Sequence, residues 1–427
     1  MVKVLFFDSW TGGIHNFIPI AARLKERGVD SLLVHRGSWG DDPDRPAEET
    51  VNGLLVRDIR HYRTNLIYKV FAAERPDAVV ILTTRTFIDR SVILAARALG
   101  ITSFYLMHGA INVGDRHEGY FDGMRETLRK QRWTQAKKYL RLVLPNYFYS
   151  GTNVTAGFAL RAYPWHTIWK TFADPAQYYW APPAHPELHC DHALVWAEAY
   201  RQQIHRMPGY PIDRIQVIGP PPLDSAAALL ANPPSQDTLR EFRMRHRLSE
   251  SLPLVVYLET PAVESGFSGW TAQSRLAHFD EIIELTWSAG KQLVIKLHPA
   301  SERETLRKYE NDQRVRILRD VELSVLVYAA HSIIGFVSTT LDIPIIFGKA
   351  ILTPTWGVCA SMPREYIERN LECEVTAPLD LATALKNDNM EAFLDKPALE
   401  KYVDDFITLT DGCAIERICN ALASATS

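Results

Sequence analysis

Short runs of β-forming apolar residues alternate with helical patterns along most of the chain, and this alternation constrains the fold more than any other feature. The runs in the first third are VKVLFF (2–7), SLLVH (31–35), AVVILTT (78–84) and TSFYLM (102–107). Runs in the second half are LPLVVYLET (252–260), QLVIKLHP (292–299) and IIGFVST (333–339). Strands that alternate with helices of about 10–15 residues form βαβ units around a parallel sheet. The sequence therefore predicts an α/β protein.

Breaks in the alternation give the domain boundaries. With 427 residues and roughly 100–200 residues per domain, two domains are expected. Both are predicted to be Rossmann-like and doubly wound, and to face a cleft, where ligand sites commonly form. The predicted parts are an N-terminal domain at 1–224 with a basic, aromatic-rich insertion at 124–180, a linker at 225–250, a C-terminal domain at 251–385 and a helical segment at 386–427.

Charge and apolar patterning exclude several classes of protein. The net charge of −3 gives no reason to expect a nucleic-acid partner. Five cysteines without a CxxC pair indicate reduced thiols of a cytosolic protein. No apolar run approaches the ~18 residues of a membrane span, and the N-terminal run is too short for a signal peptide. We therefore expect a cytoplasmic protein.

The segment 124–145, MRETLRKQRWTQAKKYLRLVLP, carries seven Lys and Arg residues against the lone acid Glu126. A basic amphipathic helix of this kind can lie on an anionic bilayer. A solvated helix face explains the same composition. Both interpretations stay open, and peripheral contact with the inner membrane through this segment would suit a lipid-linked acceptor.

A polar, glycine-containing turn follows the first apolar run. Asp8 stops the run, Gly12 and Gly13 follow, and His15 stands near the start of a helical pattern. Glycines let the backbone approach a ligand closely, and a helix start offers N–H groups to an anion. The turn does not match GxGxxG, which disfavours a dinucleotide site. His15 either belongs to a site at the cleft edge or is a capping or surface histidine.

His108 and Gly109 follow the strand TSFYLM, with Asp115, Glu118 and Asp122 close behind. A base at the carboxyl end of a parallel strand is well placed to take a proton from an acceptor hydroxyl. The alternative is that these residues form a solvated loop.

The run QLVIKLHP predicts a buried strand that carries Lys296 and His298 to the mouth of the second domain. Pro299 fixes the chain at the turn. Glu259 and Thr260 end the first strand of the same domain. A carboxylate there either holds a ribose or is an exposed loop charge.

A hydroxyl-rich turn follows the next buried strand, in IIGFVSTTLD. It places three hydroxyl residues between a strand and a helix: Ser338, Thr339 and Thr340. Hydroxyls and N–H groups at a helix start suit a phosphate, whose charge His298 or Lys296 would balance. The order of these elements on consecutive strands predicts a site for a nucleotide mono- or diphosphate.

HPELHCDH (185–192) concentrates three histidines and a cysteine, which raises the question of zinc. The spacing matches neither a CxxC pair nor HExxH. We interpret the segment as a proline-rich surface loop and predict no metal site.

These motifs resemble those of GT-B glycosyltransferases over about residues 1–357. The order of TGGIHNFIPIAARLKERG, YLMHGA, HALVWAEAYRQQI, RIQVIGPPPLD, VIKLHP and AAHSIIGFVSTTLDIPIIFGKAILTP is similar to that of bacterial surface-polysaccharide transferases. That group includes the CDP-glycerol glycerophosphotransferases and the transferases that use CMP-activated acidic sugars. The resemblance implies that His298, Pro299, Ser338 and Thr339 bind the donor nucleotide and its phosphate.

By the same resemblance, His108 matches the histidine of the HG motif of the glycerophosphotransferases, and His15 matches the general base of other GT-B enzymes. Two departures stand out. Ala110 follows Gly109 where a TP continuation is usual, and Phe336-Val337 stands where Asp-Tyr is usual. The first departure disfavours transfer of glycerophosphate. The stretch from Ser338 to Ile346 offers no E-x7-E pair, which favours inversion.

The sequence thus predicts an inverting, metal-independent glycosyltransferase of bacterial envelope synthesis. It would move a sugar from a CMP-, CDP- or UDP-linked donor to a hydroxyl of a polysaccharide or glycolipid. His108, His15 or Asp8 would take the proton, and helix N–H groups, His298 and Lys296 would stabilise the leaving group without metal or cofactor. Two alternatives stay open, namely a UDP-sugar 2-epimerase-like isomerase and a non-catalytic nucleotide-binding partner.

Overall fold

The structure is a computed structural model of the whole chain. The residues that it describes are 2–8, 13–39, 44–84, 87–109, 145–146, 149, 189–206, 210–298, 301–336 and 338–424. These residues group into two compact units. The first contains described residues up to 109, from 145 to 221 and from 413 to 424, and the second contains 222–412.

The first unit is built on an eight-stranded sheet of order β3-β4-β2-β1-β5-β6-β7-β8. Every neighbouring pair is parallel except β3 with β4, which is antiparallel. The strands are β1 (Lys3–Asp8), β2 (Asp30–His35), β3 (Glu48–Val51), β4 (Leu54–Asp58), β5 (Ala78–Ile81), β6 (Thr102–Leu106), β7 (His192–Val195) and β8 (Ile215–Val217).

Helices cover this sheet because their apolar residues recur at helical spacing. In the first helix Phe17, Ile20, Ala21 and Leu24 are all buried, and Gly28 follows with φ 73°, a conformation that favours glycine. The helices of the first unit are α1 (Ile14–Glu26), α2 (Ile67–Glu74), α3 (Phe87–Ala98), α4 (Glu198–Arg206) and, at the end of the chain, α13 (Ala414–Ser424).

The second unit is built on a six-stranded, fully parallel sheet of order β11-β10-β9-β12-β13-β14. Its strands are β9 (Leu254–Leu258), β10 (Gln292–Lys296), β11 (Val315–Leu318), β12 (Ser332–Gly335), β13 (Ile351–Pro354) and β14 (Cys373–Val375). All five residues of β9 and the first four of β10 are buried. Burial on both faces explains why these strands read as continuous apolar runs.

Two apolar clusters flank the second sheet, one centred on Tyr257, Phe279 and Ile295 and the other on Val256, Val294 and Ile333. The helices of this unit are α5 (Asp224–Ala231), α6 (Gln236–Arg245), α7 (Ala272–Ser288), α8 (Leu323–Ala329), α9 (Asp342–Ile346), α10 (Glu365–Glu368), α11 (Pro378–Lys386) and α12 (Lys396–Tyr402). Short 3-10 helices lie at 37–39, 59–62, 212–214, 221–223, 304–309, 339–341, 357–361 and 390–393, and a π-helical turn at 403–407.

The α/β prediction is confirmed, and the strands lie where the apolar runs indicated. Residues 225–250, predicted as a linker, contain α5 and α6, and Ala226 and Phe242 on these helices are buried in the second unit. The C-terminal segment divides between the units. Helix α12 packs in the second unit, whereas α13 packs on α1 in the first.

Apart from Pro145, the predicted membrane-contact segment 124–145 lies outside the described residues, and so does almost all of the insertion at 124–180. Within the described part of the chain, no helix is long and apolar enough to cross a membrane.

Candidate functional site

Three acidic or imidazole side chains form a row at the carboxyl edge of the first sheet. Asp8 ends β1, His35 ends β2 and Asp58 ends β4, and the strand register pairs Asp8 with His35 and His35 with Asp58. All three are at most 4% exposed. Residues in register on neighbouring parallel strands project from the same face of the sheet, so the three groups form one buried polar strip.

The His35 end of this row is held by hydrogen bonds. His35 Nδ1 lies 3.3 Å from Asp58 Oδ2 and accepts the Gly37 N–H at 3.0 Å. Burial acts to raise the pKa of Asp58, but hydrogen bonds from Ser38 and the Arg60 amide outweigh it and lower the pKa. Sequence analysis did not identify His35 and Asp58 as candidate site residues, although His35 ends an apolar run much as His108 and His298 follow one.

Gly13 lies directly against Asp8. A Cβ atom on Gly13 would stand 1.9 Å from Asp8 Oδ2 and 2.9 Å from Leu82 Cδ1, so no larger residue fits there without movement. Glycine is therefore required for close packing rather than for a special φ. The other predicted glycine of this turn, Gly12, lies outside the described residues. His15 is exposed on the first turn of α1.

His108 stands two residues beyond β6, with an exposed side chain. Its Nδ1 lies 2.9 Å from the carbonyl oxygen of Leu82, which follows β5. A carbonyl only accepts hydrogen bonds, so Nδ1 carries the proton and Nε2 is the basic nitrogen of the neutral ring. A Cβ on the adjacent Gly109 would meet no atom within 4 Å, which leaves open space beside the imidazole.

The second sheet presents its own polar edge, centred on Glu259 after β9. Glu259 is 9% exposed, and its Oε1 lies 2.5 Å from Nη2 of Arg275, which is 3% exposed on α7. The N–H of His298 points to Glu259 Oε2 at 3.4 Å. Burial raises the pKa of Glu259 even though the Arg275 cation acts in the opposite direction.

Arg275 also ties this pair to the loop that follows β10. Its Nη1 donates to the carbonyl of Glu302 at 3.1 Å and lies 3.7 Å from Glu264 Oε1, and Glu264 accepts the Glu302 N–H at 2.6 Å. The Arg275 guanidinium thus connects the loop that follows β9 with the loop that follows β10, which contains His298. Sequence analysis did not single out Arg275, because a lone arginine in an amphipathic helix is usually a surface residue.

Lys296 ends β10, and His298 stands two residues beyond it. Lys296 Nζ donates to the carbonyl of Leu297 at 2.8 Å. Burial and then the Lys296 cation lower the pKa of His298, and burial lowers that of Lys296 despite the attraction of Asp320. A bound anion would therefore favour the protonated, charged forms of Lys296 and His298, which burial disfavours. Pro299 lies outside the described residues.

The hydroxyl turn follows β12, which pairs with β9 on the side away from β10. Ser338 caps the 3-10 turn 339–341: its Oγ lies 2.9 Å from Thr340 Oγ1 and accepts the Thr340 N–H at 3.4 Å. Thr339 and Thr340 are half-buried. The side chains of Glu259, His298 and Ser338 therefore follow three adjacent strands of one parallel sheet, at the edge where ligands bind in such sheets.

Behind this turn a carboxyl is buried at the start of α9. Asp342 is 5% exposed, and its Oδ1 accepts hydrogen bonds from Tyr402 at 3.0 Å and Tyr366 at 3.3 Å. Burial raises the pKa of Asp342 to about 7, against the effect of both hydroxyls. Asp342 thus anchors the hydroxyl turn to α10 and α12.

Within the described part of the chain, no cluster of three His, Cys, Asp or Glu side chains could hold a metal ion. His189 and Cys190 of HPELHCDH are buried, not on a surface loop as interpreted, and the His189 ring stacks on Tyr210 with centroids 4.1 Å apart. His192 stacks on Phe104 instead. One Asp-x-Asp triplet occurs at 42–44, and of it only Asp44 is a described residue.

Comparison with known proteins identifies the fold. No protein-family model matches the chain, and no curated protein gives a significant match. Among solved structures, the wall teichoic acid polymerase TagF aligns with a TM-score of 0.57 at 13% identity, covering 99% of this chain and 89% of that one. The fold is GT-B.

Two further structures align at full length with lower scores. UDP-GlcNAc 2-epimerase from Methanocaldococcus jannaschii gives a TM-score of 0.49 at 14% identity, over 99% of this chain and 100% of that one. A glycosyltransferase from Rickettsia africae gives 0.48 at 10% identity, over 99% and 98%. At these identities, the likeness concerns the fold.

Proposed function

We propose that this GT-B protein is a glycosyltransferase that moves a sugar from a nucleotide-activated donor to a hydroxyl of an envelope polysaccharide or glycolipid. The observation that carries the proposal is the convergence of Glu259, His298 and Ser338 at the carboxyl ends of three adjacent strands. An imidazole, a hydroxyl turn and a buried carboxylate are suited to a phosphate and a ribose. A structure of TagF, which shares the fold, was determined after a soak with CDPG.

In this proposal the second unit holds the donor. Ser338, Thr339 and Thr340 contact the phosphate with hydroxyl and N–H groups, and Lys296 and His298 supply positive charge to it. The negative charge of the phosphate favours the protonated imidazole, which reverses the effect of burial on the pKa of His298. Glu259 would accept a hydrogen bond from the ribose.

The first unit supplies the base. His108 is the favoured candidate, because the Leu82 carbonyl fixes the tautomer in which Nε2 is basic. Asp8 is buried beneath Gly13, and His15 is exposed on α1. The base takes the acceptor proton while the hydroxyl oxygen attacks the anomeric carbon, and the nucleotide leaves with the bonding electrons. Direct displacement of this kind inverts the anomeric configuration.

Calorimetry with CMP, CDP, UDP and GDP on the full chain tests the donor site. We expect one cytidine or uridine nucleotide to bind, and His298→Ala to weaken that binding by roughly tenfold, since it removes a charge-assisted contact. His246→Ala, in the same unit but paired with Glu322 on the surface, is the matched control. Equal affinity in the parent and in His298→Ala would contradict the assignment.

Incubation of the bound donor with and without an acceptor distinguishes the reaction classes. A transferase needs the acceptor, an epimerase changes the sugar without one, and a binding partner changes nothing. His108→Ala and His15→Ala are assayed separately in the presence of EDTA. Near-normal turnover in both variants would exclude the two histidines as the base, and loss of turnover with EDTA would exclude metal independence.

A further inference from the structure

A surface cavity lined by arginines lies beside β11, the edge strand of the second sheet. Its volume is about 400 Å³, and its walls come from β11, the 3-10 helix at 304–309 and the turn after α6. Four guanidinium groups line it, and the one carboxylate in its lining is Glu310. The arginines are Arg247, Arg303, Arg307 and Arg316.

The positive charge of this arginine cavity is only partly compensated by carboxylates. Arg247 and Arg303 form no ion pair with any described residue, and both are exposed. Arg316 donates to carbonyl oxygens of Arg247 at 2.9 Å, Asp312 at 2.7 Å and Val315 at 2.9 Å. Arg307 pairs with Glu304 at 2.8 Å, and the Arg316 cation helps to lower the pKa of the nearby Asp312.

Part of the cavity is held rigidly. The three carbonyl contacts fix the Arg316 guanidinium against the sheet edge, and Leu306 and Tyr309 beneath it are 1% and 4% exposed. The Tyr309 hydroxyl donates to Asp280 at 2.8 Å, so that this ring is also fixed. A guanidinium fixed in this way loses little side-chain entropy when it binds an anion.

We propose that the arginine cavity binds an anionic saccharide segment, a sugar bearing a carboxylate or a phosphate. Its volume lies within the range of about 300–1,000 Å³ typical of small-molecule sites. Arginine forks match carboxylate and phosphate oxygens in pairs. The one aromatic residue of the lining, Tyr309, is buried, so no ring is presented for stacking on nucleobases, which disfavours nucleic acid.

This inference rests on the proposed function, since it makes the acceptor or product polymer the occupant. A transferase that extends an anionic glycan gains from a second contact, because a chain held at two points dissociates more slowly. The contact would lie outside the donor residues that follow β9, β10 and β12.

Direct binding to the full chain, measured by calorimetry without nucleotide, tests the proposal. The probes are an oligogalacturonate tetramer for carboxylates, a glycerol phosphate tetramer for phosphates, and neutral maltotetraose. Arg247→Gln combined with Arg303→Gln removes two charges that no described carboxylate compensates. Arg206→Gln combined with Arg214→Gln removes two exposed charges elsewhere, neither of them paired with a described carboxylate, and is the matched control.

We expect at least one anionic tetramer to bind, and the Arg247/Arg303 variant to weaken it roughly tenfold or more while the control keeps the parent affinity. The difference between the two tetramers identifies the anion. Four results would overturn the proposal: no saturable binding, equal weakening in the control, equal binding of maltotetraose, or tighter arginine-dependent binding of an octauridine RNA.

Nucleotide calorimetry on the same samples separates this proposal from the proposed function. A parent chain that binds the tetramer but no nucleotide contradicts the transferase and leaves the arginine cavity as an anion site. A chain that binds a nucleotide but no tetramer contradicts the cavity alone.

Discussion

Replacing Arg275 by methionine tests the contribution of the buried ion pair that Arg275 forms with Glu259, the carboxylate to which the His298 N–H points. Arg275 and Glu259 are 3% and 9% exposed, so the substitution leaves a buried carboxylate without its cation. The folded protein can then neutralise Glu259 by protonation. Because burial already raises the pKa of Glu259, loss of the cation raises it further.

The free-energy cost of protonating Glu259 sets the size of the expected loss of stability. Protonating a carboxyl of ordinary pKa 4.5 at pH 7 spans about 2.5 pH units at ~1.36 kcal/mol each, which limits this contribution to at most roughly 3.4 kcal/mol, because the raised pKa of Glu259 already costs the parent part of it. This agrees with the ~3–5 kcal/mol typical of breaking a buried pair from one side. At pH 5 the same calculation leaves about 0.7 kcal/mol. A raised folded-state pKa means that stability is lost as the pH rises, so the defect grows between pH 5 and pH 7.

Urea unfolding of the full chain at pH 5 and pH 7 measures this difference. Arg240→Met, at an exposed pair with Asp237, is the control and should cost at most about 0.5 kcal/mol at either pH. The double variant Arg275→Met with Glu259→Leu should recover much of the loss, because it leaves no unpaired charge. A penalty for Arg275→Met below about 1 kcal/mol at pH 7, or one independent of pH, would refute the reasoning.

Three further predictions concern individual contacts. Gly13→Ala should lower the free energy of unfolding, measured with heat or urea, by about 1–3 kcal/mol and displace Asp8, since the new Cβ would stand 1.9 Å from Asp8 Oδ2. Gly109→Ala is the control: it has open space around it and should leave stability unchanged. Burial raises the pKa of Glu372 from 4.5 to about 8, so the free energy of unfolding should fall between those pH values, by at most roughly 5 kcal/mol. Glu372→Gln should remove that slope, and an unchanged pH profile would show that the carboxyl is not desolvated. Asp342→Asn should likewise remove a decline between pH 3.8 and about 7, seen as a gain in stability over the parent that is larger at pH 8 than at pH 5.

Apolar runs were enough to predict the strands at the centre of both sheets. Burial on both faces leaves a continuous apolar signature, as in β1 and β9. Two edge strands, β3 and β14, are not marked by an apolar run. β3 reads EETV and pairs antiparallel with β4, and β14 is three residues long, so neither carries that signature. The stretch 225–250 was interpreted as a linker because it contains Pro233 and Pro234 and because the sequence of α6 is mostly polar.

Candidate site residues could be proposed from the sequence where they lie at the end of a buried strand or just after it. Asp8, His108, Glu259 and His298 share that position, and parallel topology makes the strand end a place for ligands. Arg275 could not be found in this way, because its role depends on a tertiary contact with Glu259. No pattern of spacing distinguishes a buried arginine in α7 from an exposed one.

The docking of α13 on α1 affects how the chain folds during synthesis. Ile418, Cys419 and Leu422 of α13 are buried, and Glu416 pairs with Arg23 and Arg27 of α1. Residue 413 leaves the ribosome roughly 10–40 s after residue 221 at about 5–20 residues per second. For that interval the first-made unit exposes the apolar surface that α13 later covers. A nascent chain stalled after residue 412 should therefore bind chaperones at a site that the finished protein conceals.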